Sequence, residues 1–317
     1  MSNTNIPTAA AGNAPDGNAG SRPQDGHRIL TPARQREDWA KTVEGNQHLR
    51  RITVLDTETT GLDWRRHSII EIAVARVLVD PAGRVVSIER TGSSVIDPGH
   101  PLSREISELT GLTDEMVSGK AINSEQLAAF LADGEAIVAF NSAFDRPFVD
   151  ALLPNLPPMK WGCAMADVPW RKLGFEPGPQ GYLLMQAGKF ASRAHRALDD
   201  VLALVELLDH VCGDGETVMA KVLAAMDAKA WRIEATGAPY QKRDLLWGRR
   251  YRFRKEMRGG GVWHKHVRPG ELEAELAWYR EAIGKEPSLV ELPAKERYRA
   301  DSTWTPVVPK VDPSPVW

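Results

Sequence analysis

Cysteine is nearly absent from this chain. Its 317 residues include 2, Cys163 and Cys212, far apart and without C-x-x-C spacing. That excludes a disulfide scaffold and a thiolate zinc site, and it fits a reducing compartment, so a cytoplasmic location is expected. Long apolar runs are also missing. No stretch approaches the roughly 20 residues that span a bilayer, and the N-terminus has neither the basic start nor the apolar core of a signal peptide. The expectation is a soluble, intracellular protein with no membrane partner. Nor does one sign of charge dominate, since the net charge is −2 and selects no partner by itself. A hydrophobic content of 42% supports an ordinary core, and the length suggests about two domains.

Composition divides the chain further. Residues 1–47 read as a tail and leader. The stretch to about residue 26 is rich in Ala, Gly, Asn and Pro, and buries too little apolar surface to offset its ordering entropy, so disorder is expected. Over 48–214, strand signals lie at RITVLD, IIEIAVARVLV and RVVSIERTGSSVID, with AIVAF as a short buried strand. Helical signals lie at LSREISEL, SEQLAAFLAD, a segment starting near Asp145, and HRALDDVLALVELLDHV. Hairpin-linked strands followed by strands alternating with helices predict an α/β domain, a mixed sheet covered by helices. A linking helix is expected over 215–235, a separate module over 236–290 and a Pro-rich extended tail over 291–317.

The stretch VLDTETTGL places Asp56 and Glu58 two apart at the end of an apolar strand, so both point to one face. Two acids held about 4 Å apart repel by several kcal/mol at an effective dielectric near 20, unless a cation sits between them. A polar turn, with Asp56 capping the bend and Glu58 solvated, is the plainer alternative. In NSAFDRPFVDALL, Asp145 shares a helical stripe with Phe148, Val149 and Leu152, where a lone acid is costly, although a helix-capping Asp is common. In HRALDD, Asp200 shares its face with Ala197, Leu204 and Leu207, whereas Asp199 falls with Ala203 and Glu206 and is expected to face water. His195 stands at the entrance to that helix, five residues before Asp200; taken alone, it reads as a surface residue. Four inward carboxylates from three places make an oxygen cage suited to Mg²⁺ or Mn²⁺. Such a cage supports two-metal phosphoryl displacement, with His as the side chain that titrates near neutrality to serve as base.

DTETTG, NSAFD and HRALDD, in this order, resemble the three motifs of the DEDDh 3′–5′ exonucleases, and ELTGLTDEMV resembles the family segment lining the terminal-nucleotide pocket. The resemblance covers roughly residues 50–212 and implies a ribonuclease-H-like fold with a five-stranded mixed sheet. It further implies that Asp56, Glu58, Asp145 and Asp200 hold two Mg²⁺ or Mn²⁺ ions and that His195 is the general base. Substrate contacts carried over with it are the backbone around Thr59, Leu62 or Leu112 against the terminal base, and Phe140 and Asn141. Two positions depart from the pattern: Phe140 and Thr110 stand where the family often has His. Neither is a metal ligand, so they bear on how the last nucleotide is gripped.

From Lys242 to Arg268 ten Lys and Arg face only Asp244 and Glu256, interleaved with Trp247, Tyr251, Phe253 and Trp263. RGGG reads as a reverse turn, giving a hairpin between short helices in a small basic α+β module. Arg250, Arg252, Arg254 and Trp263 are candidate nucleic-acid contacts, cations on phosphates and aromatics on bases. The alternative is that the aromatics, with Leu276 and Trp278, form the module's only core; aromatics inside and arginines outside satisfies both. His264 and His266 read as surface residues. The expected function is a metal-dependent 3′–5′ exonuclease acting on single-stranded or frayed 3′ ends, DNA before RNA. The alternatives are an RNA-processing exonuclease and a polymerase-associated proofreading subunit whose module binds a polymerase or repair partner.

Overall fold

Strands buried on both faces need mostly apolar side chains, and the central strands here have them, with Thr53, Glu71 and Arg76 as buried polar exceptions. The computed structural model describes residues 29–34, 39, 48–191, 196–255 and 260–299, with the side chains of 254, 255 and 269 outside that set. The tails expected at 1–28 and 300–317, most of the leader, and His195 therefore lie outside the described residues. After a two-residue strand β1 (Thr31–Pro32), the chain forms β2 (Arg50–Thr59), β3 (Ile69–Val79) and β4 (Val85–Val95). At the turn between the last two, Gly83 has φ +78°, and a Cβ there would meet Ala220 and Thr217 at under 3 Å, so both backbone and packing require glycine.

Helices α1 (Arg104–Thr110), α2 (Asp114–Val117) and α3 (Ser124–Ala132) follow, the last started by Asn123 accepting from the Gln126 N–H at 2.9 Å. Then come β5 (Ala136–Ala139), α4 (Ser142–Leu152), β6 (Lys160–Cys163), α5 (Ala164–Asp167), α6 (Gln180–Gln186), β7 (Lys189–Phe190), α7 (Ala197–Leu208) and α8 (Val218–Asp227). The main sheet runs β4-β3-β2-β5-β6, antiparallel across the first three strands and parallel from β2 to β6. Ile52, Val54, Ala73, Ala75 and Val77 pack on one side with Val201, Leu204 and Val222; Leu55, Ile72, Val74 and Ile137 pack on the other with Leu127, Phe148 and Val149. Helices on both faces of a five-stranded mixed sheet are the ribonuclease-H-like arrangement. The fifth strand, β6, has four residues and no alternation to announce it, yet Trp161 at its centre is wholly buried.

Several expectations change. The 215–235 segment is no linker, because α8 packs into the first core through Met219, Val222 and Met226. The second unit begins at β8 (Trp231–Glu234), whose pairing with a later strand was hidden in what read as helix, and continues with α9 (Arg243–Gly248), β9 (Arg252–Lys255), β10 (Gly261–Val267), α10 (Pro269–Ile283) and β11 (Ser288–Glu291). Its sheet order is β11-β8-β10-β9. The start of the supposed tail is ordered: residues 292–299 return to the first domain. There Arg146 donates to the carbonyls of Lys295 and Arg297, Arg297 donates to those of Ala225 and Ala228, and Tyr298 donates to Asp167 Oδ1 at 2.7 Å. The face of α7 bearing Ala203 and Glu206 is buried rather than wet, since Arg34 Nε and Lys189 Nζ pair with Glu206 at 2.7 and 3.1 Å. No helix among the described residues is long and apolar enough to cross a membrane.

Candidate active site

The period of β2 sends Ile52 and Val54 into the core beneath α7, and carries Asp56 and Glu58 out along that same face. Thr57 between them points to the opposite side, toward α4, where its hydroxyl donates to Asp145 Oδ1 at 2.8 Å. The pairing of β2 with β3 shifts between Glu58 and Thr59, a bulge that ends the regular strand beside the acids. Asp145 lies in the first turn of α4 and Asp200 in the first turn of α7, where a helix N-terminus favours negative charge. One carboxylate oxygen from each of Asp56, Glu58 and Asp200 lies within 4.8 Å of the other two. Asp145 is outside that trio but on the same cleft of about 200 Å³, lined also by Thr57, Phe140, Asn141, Phe144 and Gln180.

Such a cluster is costly without a counter-charge. Burial, then Asp145, Asp200, Glu58 and Glu71, pushes the Asp56 carboxyl well above the ordinary range. Burial, then Asp200, Glu71 and Asp145, raises Glu58 to about 7; burial raises Asp145 to about 7 against the opposing pull of the Thr57 hydrogen bond. The donors are all carboxylate oxygens converging from three elements, and this set fits hard divalent cations such as Mg²⁺ or Mn²⁺.

Each of these pKa values is higher folded than unfolded, so the folded state holds the protons more tightly. The resulting stabilisation is full below the ordinary carboxylate range and is lost as pH rises through about 7. EDTA-treated protein is therefore expected to lose several degrees of Tm between pH 6 and 8, with Mn²⁺ restoring them at pH 8. A melting temperature flat across that window and indifferent to Mn²⁺ would contradict the cluster's electrostatics.

Several residues of the site escaped the sequence reading, Thr57 among them. Glu71, opposite Glu58 in the strand register, is buried and accepts from Arg196 Nη2 at 3.1 Å, Arg196 Nε at 3.2 Å and the Ala197 N–H at 3.2 Å. From β3, paired with the strand bearing Asp56 and Glu58, it thereby ties the sheet to the start of the helix bearing Asp200. Gln180 Nε2 donates to the Asp200 carbonyl at 2.9 Å and fixes the same turn from α6. Phe144, inside NSAFD, forms part of the cleft wall.

Among the candidate substrate contacts, Phe140 and Asn141 line the cleft. Thr59 is buried, its hydroxyl donating to the Gly61 carbonyl at 2.7 Å, and Leu62 is 86% exposed beyond that turn. Leu112 has to be withdrawn: it is wholly buried with Ile70 and Val117 and offers no face to a base. Trp263 is likewise no open stacking platform, because it packs against the core of the second unit. Arg250 and Arg252 are exposed, with Arg250 at φ +67°, while the Arg254 side chain is outside the described set.

A three-stranded antiparallel arm continued by two parallel strands, with acids gathered at the end of the central strand, defines an exonuclease-type ribonuclease-H-like domain. Residues 53–208 match the RNase T family, described as exonuclease. The match makes these residues an exonuclease-type domain, and it supports the DEDDh exonuclease superfamily for that part of the chain. It is 33% identical over 166 residues to DNA polymerase III PolC-type of Thermotoga maritima, covering 46% of this chain and 11% of that protein. It is 36% identical over 111 residues to DNA polymerase III PolC-type of Streptococcus agalactiae, covering 34% and 7%. The chain thus spans about a tenth or less of the length of these relatives. The solved structure of exonuclease X in complex with 5′ overhanging duplex DNA aligns at 28% identity over 50% of this chain and 89% of that one, with a TM-score of 0.39.

Proposed function

We propose that the protein is a metal-dependent 3′–5′ exonuclease that removes nucleoside monophosphates from single-stranded or frayed DNA ends. The observation that carries this reading is the convergence of Asp56, Glu58 and Asp200, with Asp145 on the same cleft, inside a domain of the exonuclease family. These carboxylates would hold two divalent ions, which when bound would supply charge neutralisation at the scissile phosphate and lower the pKa of the attacking water. His195 takes the proton of that water as its oxygen bonds to phosphorus. The bond from phosphorus to the 3′ oxygen of the preceding nucleotide breaks, and that oxygen is protonated from solvent. Thr57 holds Asp145, Glu71 and Arg196 hold the start of α7, and Phe140, Asn141 and Phe144 form the wall against which the terminal nucleotide rests.

DNA is preferred over RNA because the polypeptides that the domain resembles are DNA polymerases. The same similarity favours a second reading, a proofreading role beside a polymerase. The test compares matched DNA and RNA oligonucleotides, labelled at the 5′ end, with Mg²⁺ and with EDTA. A ladder shortening from the 3′ end only with Mg²⁺, faster on DNA, is expected. A single internal cut, or degradation indifferent to EDTA, is incompatible with the proposal.

A further inference from the structure

Two large aromatic side chains of the second unit add nothing to its core. Tyr240 is 74% exposed and Trp247 is 71% exposed, whereas Leu246, beside Trp247, is wholly buried in the apolar cluster shared with α10. A single 3₁₀ turn, Tyr240–Lys242, runs straight into α9, so Tyr240, Arg243 and Trp247 follow at spacings of three and four and share one side. The Arg243 guanidinium lies over the Tyr240 ring, 4.2 Å from its centroid. The exposed stripe is therefore ring, planar cation, ring.

Permanent positive charge accompanies it. Residues 240–252 hold Lys242, Arg243, Arg249, Arg250 and Arg252 against Asp244 alone, a balance of +4. Asp244 pairs with Arg243 at 3.5 Å, and Glu275 of α10 pairs with Arg249 at 3.3 Å. Lys242, Arg250 and Arg252 form no ion pair among the described residues, so three charges stay uncompensated after both pairs are discounted. Arg250 also stands where the backbone favours another residue. Its N–H donates to the Trp247 carbonyl at 2.8 Å, and the Tyr251 N–H donates to the Leu246 carbonyl at 2.9 Å, which closes the end of α9. That helix stop needs the left-handed conformation at Arg250, φ +67°, which glycine adopts freely and a side chain strains. A strained residue beside exposed rings points to a role outside the fold.

We propose that the stripe of Tyr240, Arg243 and Trp247, with Lys242 and Arg250, binds single-stranded nucleic acid. Unpaired bases stack on the two rings, and phosphates meet the uncompensated cations. Both halves of the chemistry select this occupant: a single strand presents flat apolar faces and a negative charge at every nucleotide, whereas a duplex hides the faces. Stacking accepts any base, so binding is independent of sequence. The proposal rests on the exonuclease reading for why this chain meets such a strand.

The test titrates the full chain, in EDTA, into a fluorescein-labelled oligothymidylate and into an abasic oligomer of the same length, at several salt concentrations. Wild type should bind the oligothymidylate about tenfold or more tightly than the abasic strand. Trp247→Ala should remove most of that advantage and leave the salt slope and Tm unchanged. Arg250→Gly should weaken binding of both oligomers and flatten the log–log salt dependence by about 0.7, one phosphate contact. Its Tm should hold or rise, because glycine relaxes the helix stop. Weaker binding with undiminished stability is an outcome that a merely structural Arg250 would not give. Equal wild-type affinity for the two oligomers, or variants that bind both as wild type does, overturns the proposal and assigns the stripe to a protein partner. Adding Mg²⁺ to the wild type judges the nuclease reading separately: a strand that is bound and never shortened strikes that reading and leaves this one standing.

Discussion

Asp145→Ala is expected to lower hydrolysis by about 10³-fold or more while leaving the fold intact. The two halves of that expectation come from the same geometry. Asp145 is buried in the first turn of α4, its carboxyl raised to about 7 by burial and held by the Thr57 hydroxyl at 2.8 Å. As an anion it is destabilising there, so its removal relieves repulsion with Asp56 and costs its hydrogen bonds from the Thr57 hydroxyl and the neighbouring backbone. The melting temperature in EDTA at pH 8 should therefore hold or rise, an outcome opposite to that of an ordinary core truncation. Asp145→Asn keeps the shape and an oxygen to accept from Thr57, and loses only the charge. If the carboxylate serves to hold a cation, both variants are inactive and both bind Mn²⁺ more weakly in a calorimetric titration. Full hydrolysis by Asp145→Asn, in a preparation free of contaminating nuclease, would show that the charge at this position is not needed.

The acids were legible in the sequence because each interrupts a periodic apolar pattern. Asp56 and Glu58 break a strand of period two, and Asp145 and Asp200 sit on helical stripes otherwise filled with Leu, Val and Phe. Glu71 breaks an apolar run just as visibly in IIEIAV. Its role depends on a register with Glu58 and on Arg196, 125 positions away, and neither is a property of a local pattern. Leu112 was misplaced for a related reason: an apolar residue beside a motif reads equally as pocket wall or core, and only its neighbours Ile70 and Val117 decide. The boundary near residue 236 failed because WRIE continues the apolar spacing of α8, and becomes a strand only through pairing with β10 and β11. In the second unit the alternation of Arg with Tyr and Phe was visible. Which half of it faced inward was set by α10, whose side chains cover one face.

His195→Ala is expected to slow hydrolysis by the order of 10² and to remove its dependence on pH near neutrality, with Mn²⁺ binding unchanged. The residue directly precedes Arg196, whose guanidinium is fixed on both oxygens of Glu71, and it stands five positions before Asp200. In the sequence it therefore stands just ahead of the helix whose first turn carries Asp200. A general base must be neutral to act, so the wild-type rate should rise with pH through the window where imidazole titrates, roughly 6 to 7. Glu58 and Asp145, raised to about 7 without metal, titrate in the same window. The profile must therefore be measured at saturating Mn²⁺, where a bound cation keeps the carboxylates ionised and leaves the imidazole as the group that changes charge. Under those conditions the two classes of variant separate: Asp145→Asn loses cation binding and hydrolysis together, and His195→Ala loses hydrolysis alone. A His195→Ala enzyme that keeps the wild-type pH–rate profile would assign the proton transfer to another group, and the slope near neutrality to the carboxylates themselves.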